Sequence, residues 1–247
     1  MAVSYVLNLG DCLGPGGMAT LADKSVDHVV TDPPYEAEAH TLQRRIKRGP
    51  GTDEGRVTVV APLSFDPITT QQRLDACKHF ARIARRWVIV FCQAEAVASW
   101  REAMTVHGLI WKRSCIWLKP DAMPQLTGDR PGTGFESIAV AHAPGKSRWN
   151  GGGKHGVWRF GTNKGNGCAE HEDRHPTQKP EALMESLIRD FTDPGDLVLD
   201  PFAGHATTGV AAIRHGRRFV GWERDPAFHA VASKRLAMTK EQLQLAF

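Results

Sequence analysis

Along almost the whole chain, short apolar runs alternate with segments of helical periodicity, and this alternation constrains the fold more tightly than any other feature. Residues 4–9, 26–31, 87–91, 109–118, 136–141, 197–199 and 218–220 read as strands. Residues 70–85, 94–107 and 180–191, with two further stretches starting near Gly204 and at Pro226, read as helices. Strands separated by helices need crossover connections, so the expected fold class is α/β, a mainly parallel sheet with helices on both faces. Local signals agree. Pro180 suits a first helical turn, and Leu183, Leu187, Ile188 and Phe191 share one helix face. Asp193-Pro194-Gly195-Asp196 reads as the turn into the next strand.

A chain of 247 residues can bury a substantial core without disulfides or a structural metal. The five cysteines are scattered and contain no Cys-x-x-Cys pair, which predicts reduced thiols. No basic-then-apolar leader opens the sequence, and no apolar stretch approaches the length of a membrane span. A soluble, cytoplasmic protein without membrane partners is expected. The net charge of +4 is mild, and its distribution is more informative. Arg44, Arg45, Lys47, Arg48 and Arg56 crowd one glycine-containing stretch. A second, 145–174, interleaves Trp149, Trp158 and Phe160 with basic residues that include Lys154 and Arg159. Lysine and arginine neutralise phosphates, and aromatic rings stack on bases or wedge between them. Loops at 36–66 and 143–174 are therefore candidate nucleic-acid contacts, with a solvated loop as the plain alternative for any single residue.

Asp32-Pro33-Pro34-Tyr35 stands immediately after an apolar strand, where open α/β sheets bind ligands. An exocyclic amine on adenine or cytosine is a poor nucleophile, because its lone pair is delocalised into the ring. A carboxylate at Asp32 and the carbonyl of Pro33 can both accept the amino hydrogens, which favours a pyramidal nitrogen with its lone pair free. Two prolines stiffen the loop, and Tyr35 offers a flat face to a base swung out of a duplex. The alternative is a Pro-rich turn that caps a strand.

A second run, Asp200-Pro201-Phe202-Ala203-Gly204-His205-Ala206-Thr207-Thr208-Gly209, also follows a strand and opens a helix. Roughly twenty residues on, Glu223 ends the next strand, a spacing suited to ribose hydroxyls in nucleotide-binding folds. A NAD site is the competing reading, but the Gly-x-Gly-x-x-Gly fingerprint is absent. Upstream, His175-Pro176-Thr177-Gln178-Lys179-Pro180 brings a threonine and a lysine to a helix start, where charge and dipole suit a cofactor carboxylate. Its plain alternative is a proline-framed helix start.

In this order the segments resemble the DNA amino-methyltransferases in their circularly permuted arrangement, with the catalytic tetrapeptide first and the cofactor loop near the C-terminus. The resemblance extends from Gly10 to Phe228. It implies a Rossmann-like, S-adenosylmethionine-dependent methyltransferase fold, a seven-stranded sheet with one antiparallel strand, as a single domain over 1–247. It further implies S-adenosyl-L-methionine as cofactor and double-stranded DNA as partner, in a restriction–modification setting of bacterial or phage type, and it permits homodimers. By the same resemblance Asp32, Pro33, Pro34 and Tyr35 handle a flipped target base. Asp11 and Cys12, in Gly10-Asp11-Cys12, lie against the cofactor's adenine. Thr177, Lys179, Asp200, Pro201, Phe202, Gly204, Thr207 and Glu223 line the cofactor site, and Arg44, Arg45, Lys47, Arg48, Lys154 and Arg159 contact DNA.

Asp at position 32 is usual among the adenine enzymes and Ser common among the cytosine enzymes, so adenine N6 is the expected acceptor, with cytosine N4 the alternative. The chain departs from the family at the loop, where Gly204-His205-Ala206-Thr207-Thr208 replaces Gly-Ser-Gly-Thr-Thr, and at Phe228, where Tyr is common. The segment between Ala143 and His175 is short for target recognition. No Pro-Cys nucleophile motif is present, which argues against carbon-5 chemistry. Cys168, His171 and His175 have the spacing of zinc ligands but no second cysteine pair, so no metal is expected. Two rivals share these features: an RNA methyltransferase, and an inactive DNA-binding module that keeps the fold and whose support is His205 and Ala206.

Overall fold

The computed structural model describes residues 4–35, 66–122, 124–125, 128–162 and 178–245, and the backbone of two short strands between them. Ten strands occur among these residues. They are β1 (Tyr5–Leu9), β2 (His28–Thr31), β3 (Arg45–Ile46), β4 (Thr58–Val59), β5 (Trp87–Cys92), β6 (Ile110–Leu118), β7 (Phe135–His142), β8 (Val157–Arg159), β9 (Leu197–Asp200) and β10 (Arg218–Glu223). The helices are α1 (Thr70–Ile83), α2 (Val97–Val106), α3 (Glu181–Phe191), α4 (Thr207–Arg214) and α5 (Pro226–Leu245). Strands β3 and β4 form a separate antiparallel pair.

The main sheet runs β1-β10-β9-β2-β5-β7-β6-β8. Only β7 runs antiparallel to its neighbours, as expected. The strand count differs from expectation: the sheet has eight strands, not seven. The eighth is β8, whose three residues pair in parallel with the end of β6, from Ile116↔Val157 to Leu118↔Arg159. Three residues inside a Gly-rich stretch carry almost no periodicity, so only their pairing marks them as a strand.

Sheet faces separate two apolar clusters. One joins Phe80 and Ile83 of α1 and Trp100 and Met104 of α2 to Val29, Val88 and Val90. The other joins Leu183 and Leu187 of α3, Ile213 of α4 and Leu236 of α5 to Val30, Ile89 and Phe91. Alternate residues of β2 and β5 thus face opposite helix layers, as the pleat requires. Helix α1 starts with a reciprocal cap: the Thr69 hydroxyl accepts from Gln72 N (3.1 Å) and the Gln72 side chain accepts from Thr69 N (2.9 Å). It ends at Ile83 because the chain turns extended, and Arg85 N donates to Val26 O (2.9 Å).

Four neighbouring strands, β1, β10, β9 and β2, deliver Asp11, Glu223, Asp200 and Asp32 to one edge of the sheet. The chain leaves β9 towards β10 on one side and leaves β2 towards β5 on the other. This divergence opens a crevice between their carboxyl ends, where doubly wound sheets take their ligands.

Candidate active site

The two strand ends at the crevice are tied together. The Thr31 hydroxyl, the last side chain of β2, donates to Asp200 Oδ1 across the strand gap (2.7 Å). Asp200 also accepts from the Thr208 hydroxyl (2.6 Å) and from Phe202 N (3.1 Å). Its carboxylate is thus filled by internal donors that bend the chain over the end of β9. Burial pushes its pKa up to about 6 against these bonds.

Pro201 and Ala203 are buried, and Phe202 is half-buried against the first apolar cluster. Gly204 adopts φ +52°, with no atom near the place a Cβ would take, so the backbone is open on that side. Helix α4 begins only at Thr207, later than the sequence suggests, because residues 203–206 form a tight turn: Ala206 N donates to Ala203 O (2.7 Å) and Ala206 sits in the left-handed region at φ 55°. Arg235 of α5 braces the turn, bonding the His205 carbonyl and, at 3.4 Å, the Thr207 hydroxyl. Two departures from the family pattern meet here, for His205 of the loop and Phe228 of α5 pack edge to face at 5.2 Å.

Glu223 closes the same turn from the next strand. Its carboxylate accepts from Gly204 N (2.8 Å) and Asp225 N (2.7 Å), which leaves a further acceptor site on each oxygen. Gly10 N donates to the Glu223 carbonyl (2.9 Å) and carries β1 into Asp11 and Cys12. Asp11 is exposed and accepts from Leu13 N (2.9 Å). Cys12 is buried. Burial, Asp11, and the nearby Asp200 and Glu223 push its thiol well above the ordinary range, so it is an inert packing group. The sequence-expected cofactor residues Asp11, Cys12, Asp200, Pro201, Phe202, Gly204, Thr207 and Glu223 therefore converge on one turn. Thr177 lies outside the described residues.

On the β2 side, Pro33 is buried and Tyr35 half-buried. The Asp32 carboxylate is used on one oxygen only. Lys179 Nζ bonds Oδ2 at 2.6 Å, while Oδ1 is buried and has no hydrogen-bond partner among the described residues. Lys179 was expected at a cofactor carboxylate. The structure instead places its ammonium against Asp32, which directly follows β2.

The same ammonium lies 3.1 Å from Glu136 and 3.2 Å from the Tyr35 hydroxyl, over the Tyr35, Phe91 and Trp117 rings at 5.2, 5.1 and 6.0 Å. Tyr35 donates to Glu136 at 2.6 Å, and Lys119 pairs with the other Glu136 oxygen. Burial raises the Asp32 pKa, with Glu136 adding to it and Lys179 opposing. Burial also opposes the Lys179 charge, but Asp32 and Glu136 together hold its pKa above the ordinary lysine value. Glu136 goes the other way: against burial, Lys179 and Lys119 bring it down to about 2. Burial, then Asp32 and Glu136, keep the Tyr35 phenol protonated. Sequence reading missed Glu136, Lys119, Phe91 and Trp117, which belong to no motif and lie far from Tyr35 along the chain.

The expected DNA contacts divide. Arg159, exposed, ends β8 beside Leu118 on the edge that carries the crevice. Lys154 does not share that edge. It pairs with Asp190 at 2.7 Å in the last turn of α3, whose first turn follows Lys179, so the helix length of about 16 Å separates it from Asp32. Trp158 also donates to Asp190 (3.0 Å), which makes this an anchor for β8. Arg44, Lys47 and Arg48, the Arg45 side chain, and the trio Cys168, His171 and His175 lie outside the described residues. No group of three or more metal-binding side chains occurs among the described residues, and no helix there is long and apolar enough to cross a membrane.

Comparison with known proteins gives a consistent answer. The chain aligns at 27% identity with methylase YubD, as that Escherichia coli (strain K12) protein is named, covering 95% of this chain and 91% of the relative. Over 68 residues it is 50% identical to the type II methyltransferase M2.DpnII of Streptococcus pneumoniae, 28% of this chain and 25% of that one. Two solved structures share the fold at low identity. The M1.HpyAVI–SAM complex has a TM-score of 0.67 at 24% identity, covering 94% of this chain and 98% of that one. The cytosine-N4-specific PvuII DNA methyltransferase has a TM-score of 0.71 at 16% identity, covering 98% and 93%. Residues 26–234 match the N6/N4 methyltransferase family, described as DNA methylase, and a match over most of the sequence that includes both strand-end turns establishes that this chain belongs to that family.

Proposed function

We propose that the protein is an S-adenosylmethionine-dependent DNA methyltransferase that acts on adenine N6 of a base flipped out of double-stranded DNA. The observation that carries this reading is the buried Asp32 Oδ1, which has no partner among the described residues, beside the braced Tyr35 ring and one strand away from the Asp200–Gly204 turn. An exocyclic amino group supplies the donor that this oxygen lacks. Accepting one amino hydrogen at Asp32 and another at the Pro33 carbonyl draws the nitrogen towards a pyramidal shape, while Tyr35 carries the base on its ring. Lys179 fixes the carboxylate, so Asp32 acts as an orienting acceptor, and the proton leaves the nitrogen after transfer.

The neighbouring turn suits the cofactor. Gly204 keeps its backbone open, and Glu223 retains acceptor capacity for ribose hydroxyls. S-adenosylmethionine would supply an electrophilic methyl on a sulfonium, for which no metal is needed. Family resemblance supports adenine, since Asp occupies position 32. The polar clamp itself serves cytosine N4 equally well.

Digestion of DNA from cells that express the protein, followed by mass spectrometry of the nucleosides, tests the reading. N6-methyladenine is expected. N4-methylcytosine alone would overturn the choice of base and leave the clamp standing, and an absence of both would reject DNA methylation. For the DNA surface, Arg159→Ala should weaken DNA binding and reduce its salt slope by about one, whereas Lys154→Ala should leave both unchanged. A cytoplasmic protein, built as one catalytic domain and working in restriction–modification, fits this activity.

A further inference from the structure

We propose that Glu136 is a positioning residue for methyl transfer, which acts through Tyr35 and Lys179 to hold the base-stacking ring and keep Asp32 Oδ1 open. The inference rests on the assignment of Asp32 to Tyr35 as the base site and extends it to a residue outside every motif.

Glu136 lies on β7, the antiparallel strand, opposite Trp117. The pleat puts its side chain on the same face as Ile138 and Val140, which belong to the apolar cluster that also holds Phe91 and Trp117. A carboxylate in such a place needs partners. It has three: the Tyr35 hydroxyl at 2.6 Å, Lys179 at 3.1 Å, and Lys119. The phenol accepts from Lys179 at 3.2 Å and donates to Glu136, and so is held at its far end from two sides. Pro33 and Pro34 stiffen the near end. A ring fixed at both ends presents one face to an incoming base.

The second effect runs through Lys179. An ammonium has three hydrogens, and here they meet Asp32 Oδ2, Glu136 and the Tyr35 hydroxyl. While Glu136 shares the positive charge, Asp32 Oδ1 stays without a partner among the described residues. Without Glu136, a freed ammonium hydrogen and the whole positive charge turn towards Asp32, where they compete with the target amine. The plain alternative is an ion cluster that merely fastens β7 to the chain ahead of α3. That role would lower stability and leave turnover per folded molecule unchanged.

Single-turnover transfer of tritiated methyl from S-adenosylmethionine to unmethylated bacterial DNA separates the two, with rates expressed per cofactor-binding site counted by calorimetry. Glu136→Ala should slow transfer by about tenfold or more while cofactor affinity stays within about twofold. Glu136→Gln keeps an acceptor for Tyr35 but no charge, and should slow transfer by at least about threefold. Adding Tyr35→Phe to Glu136→Ala should slow transfer by less than the product of the two single effects, because the part of the Glu136 effect that passes through the Tyr35 hydroxyl is already lost. Rates per site within about twofold of wild type for both Glu136 variants, or fully multiplicative effects in the pair, would overturn the proposal. Should Glu136→Ala fail to fold, the Glu136→Gln rate decides alone by its own threshold. A wild-type protein that transfers no methyl to DNA would instead defeat the base-site assignment, a result distinct from active wild type with unaffected variants.

Discussion

Two neighbouring strands end in the same dipeptide, Asp32-Pro33 after β2 and Asp200-Pro201 after β9, and use it in opposite ways. Asp200 has donors on both carboxylate oxygens, all from its own chain. Asp32 has one oxygen tied to Lys179, and the other is buried with no hydrogen-bond partner among the described residues. A saturated buried carboxylate shapes a loop, whereas one with a free buried oxygen is poised for a donor from outside. The difference arises from neighbours: Thr31 and Thr208 flank Asp200, while aromatic rings and a second acid surround Asp32.

The sharpest way to break this contrast is to remove each carboxylate. Asp32→Ala should reduce methyl transfer by two to three orders of magnitude, roughly the loss of one preorganised polar group at a reacting centre, with cofactor affinity within about twofold. Turnover near wild type would remove Asp32 from the chemistry. Asp200→Ala should act on the fold instead. Stranding Thr31, Thr208 and Phe202 N should cost about 3 kcal/mol and lower Tm by roughly 10 °C, as calorimetry would register.

Acid titration sharpens the comparison further. Burial lifts Asp200 to about 6, above its unfolded value near ~3.9. The folded state therefore binds its proton more tightly, and stability from this group is present below about 4 and lost as pH rises to about 6. Glu136, held down to about 2 because Lys179 and Lys119 outweigh burial, has the opposite sign. Its contribution is present above about 4.3 and lost as pH falls towards about 2. Each is worth about 3 kcal/mol at its limit. Denaturant unfolding across this range should show Asp200→Asn flattening the upper window and Glu136→Gln flattening the lower one. A shared window for both variants would contradict the opposed roles.

Smaller effects belong to the Asp200 side. Glu223→Ala should weaken S-adenosylmethionine binding by roughly 1–3 kcal/mol, through its lost acceptor and the released Gly204 N–H. Unchanged affinity in calorimetry would mean that the ribose is held elsewhere. Ala206→Gly should stabilise the protein by about 0.5 kcal/mol. Glycine relieves the left-handed backbone at 206, and its greater freedom in the unfolded chain offsets part of the gain. A loss of stability, read from the denaturant midpoint, would show that the Ala206 methyl contributes more through packing than its backbone costs.

What the sequence determined by itself was local. Apolar runs broken by Asp-Pro mark strand ends, and glycine beside small residues marks the turn into α4, since these signals arise from neighbours in the chain. The α/β class, the two acid-bearing turns and Glu223 were legible for that reason. Tertiary structure alone decided what each carboxylate meets. Glu136 reaches Tyr35 from β7, two strands away from β2, across about a hundred intervening residues, and no spacing rule connects them. Lys179, read as a cofactor ligand from its motif, meets Asp32, a residue about 150 positions away in the chain. Lys154 and Arg159, five residues apart, meet different partners because Lys154 lies ahead of β8 and pairs with Asp190 while Arg159 ends that strand beside Leu118, and β8 is marked only by its pairing with β6. Local sequence sets where the chain bends. Which charges come to share a buried site depends on how distant strands pair, and the energy of that pairing is spread over contacts that no short stretch contains.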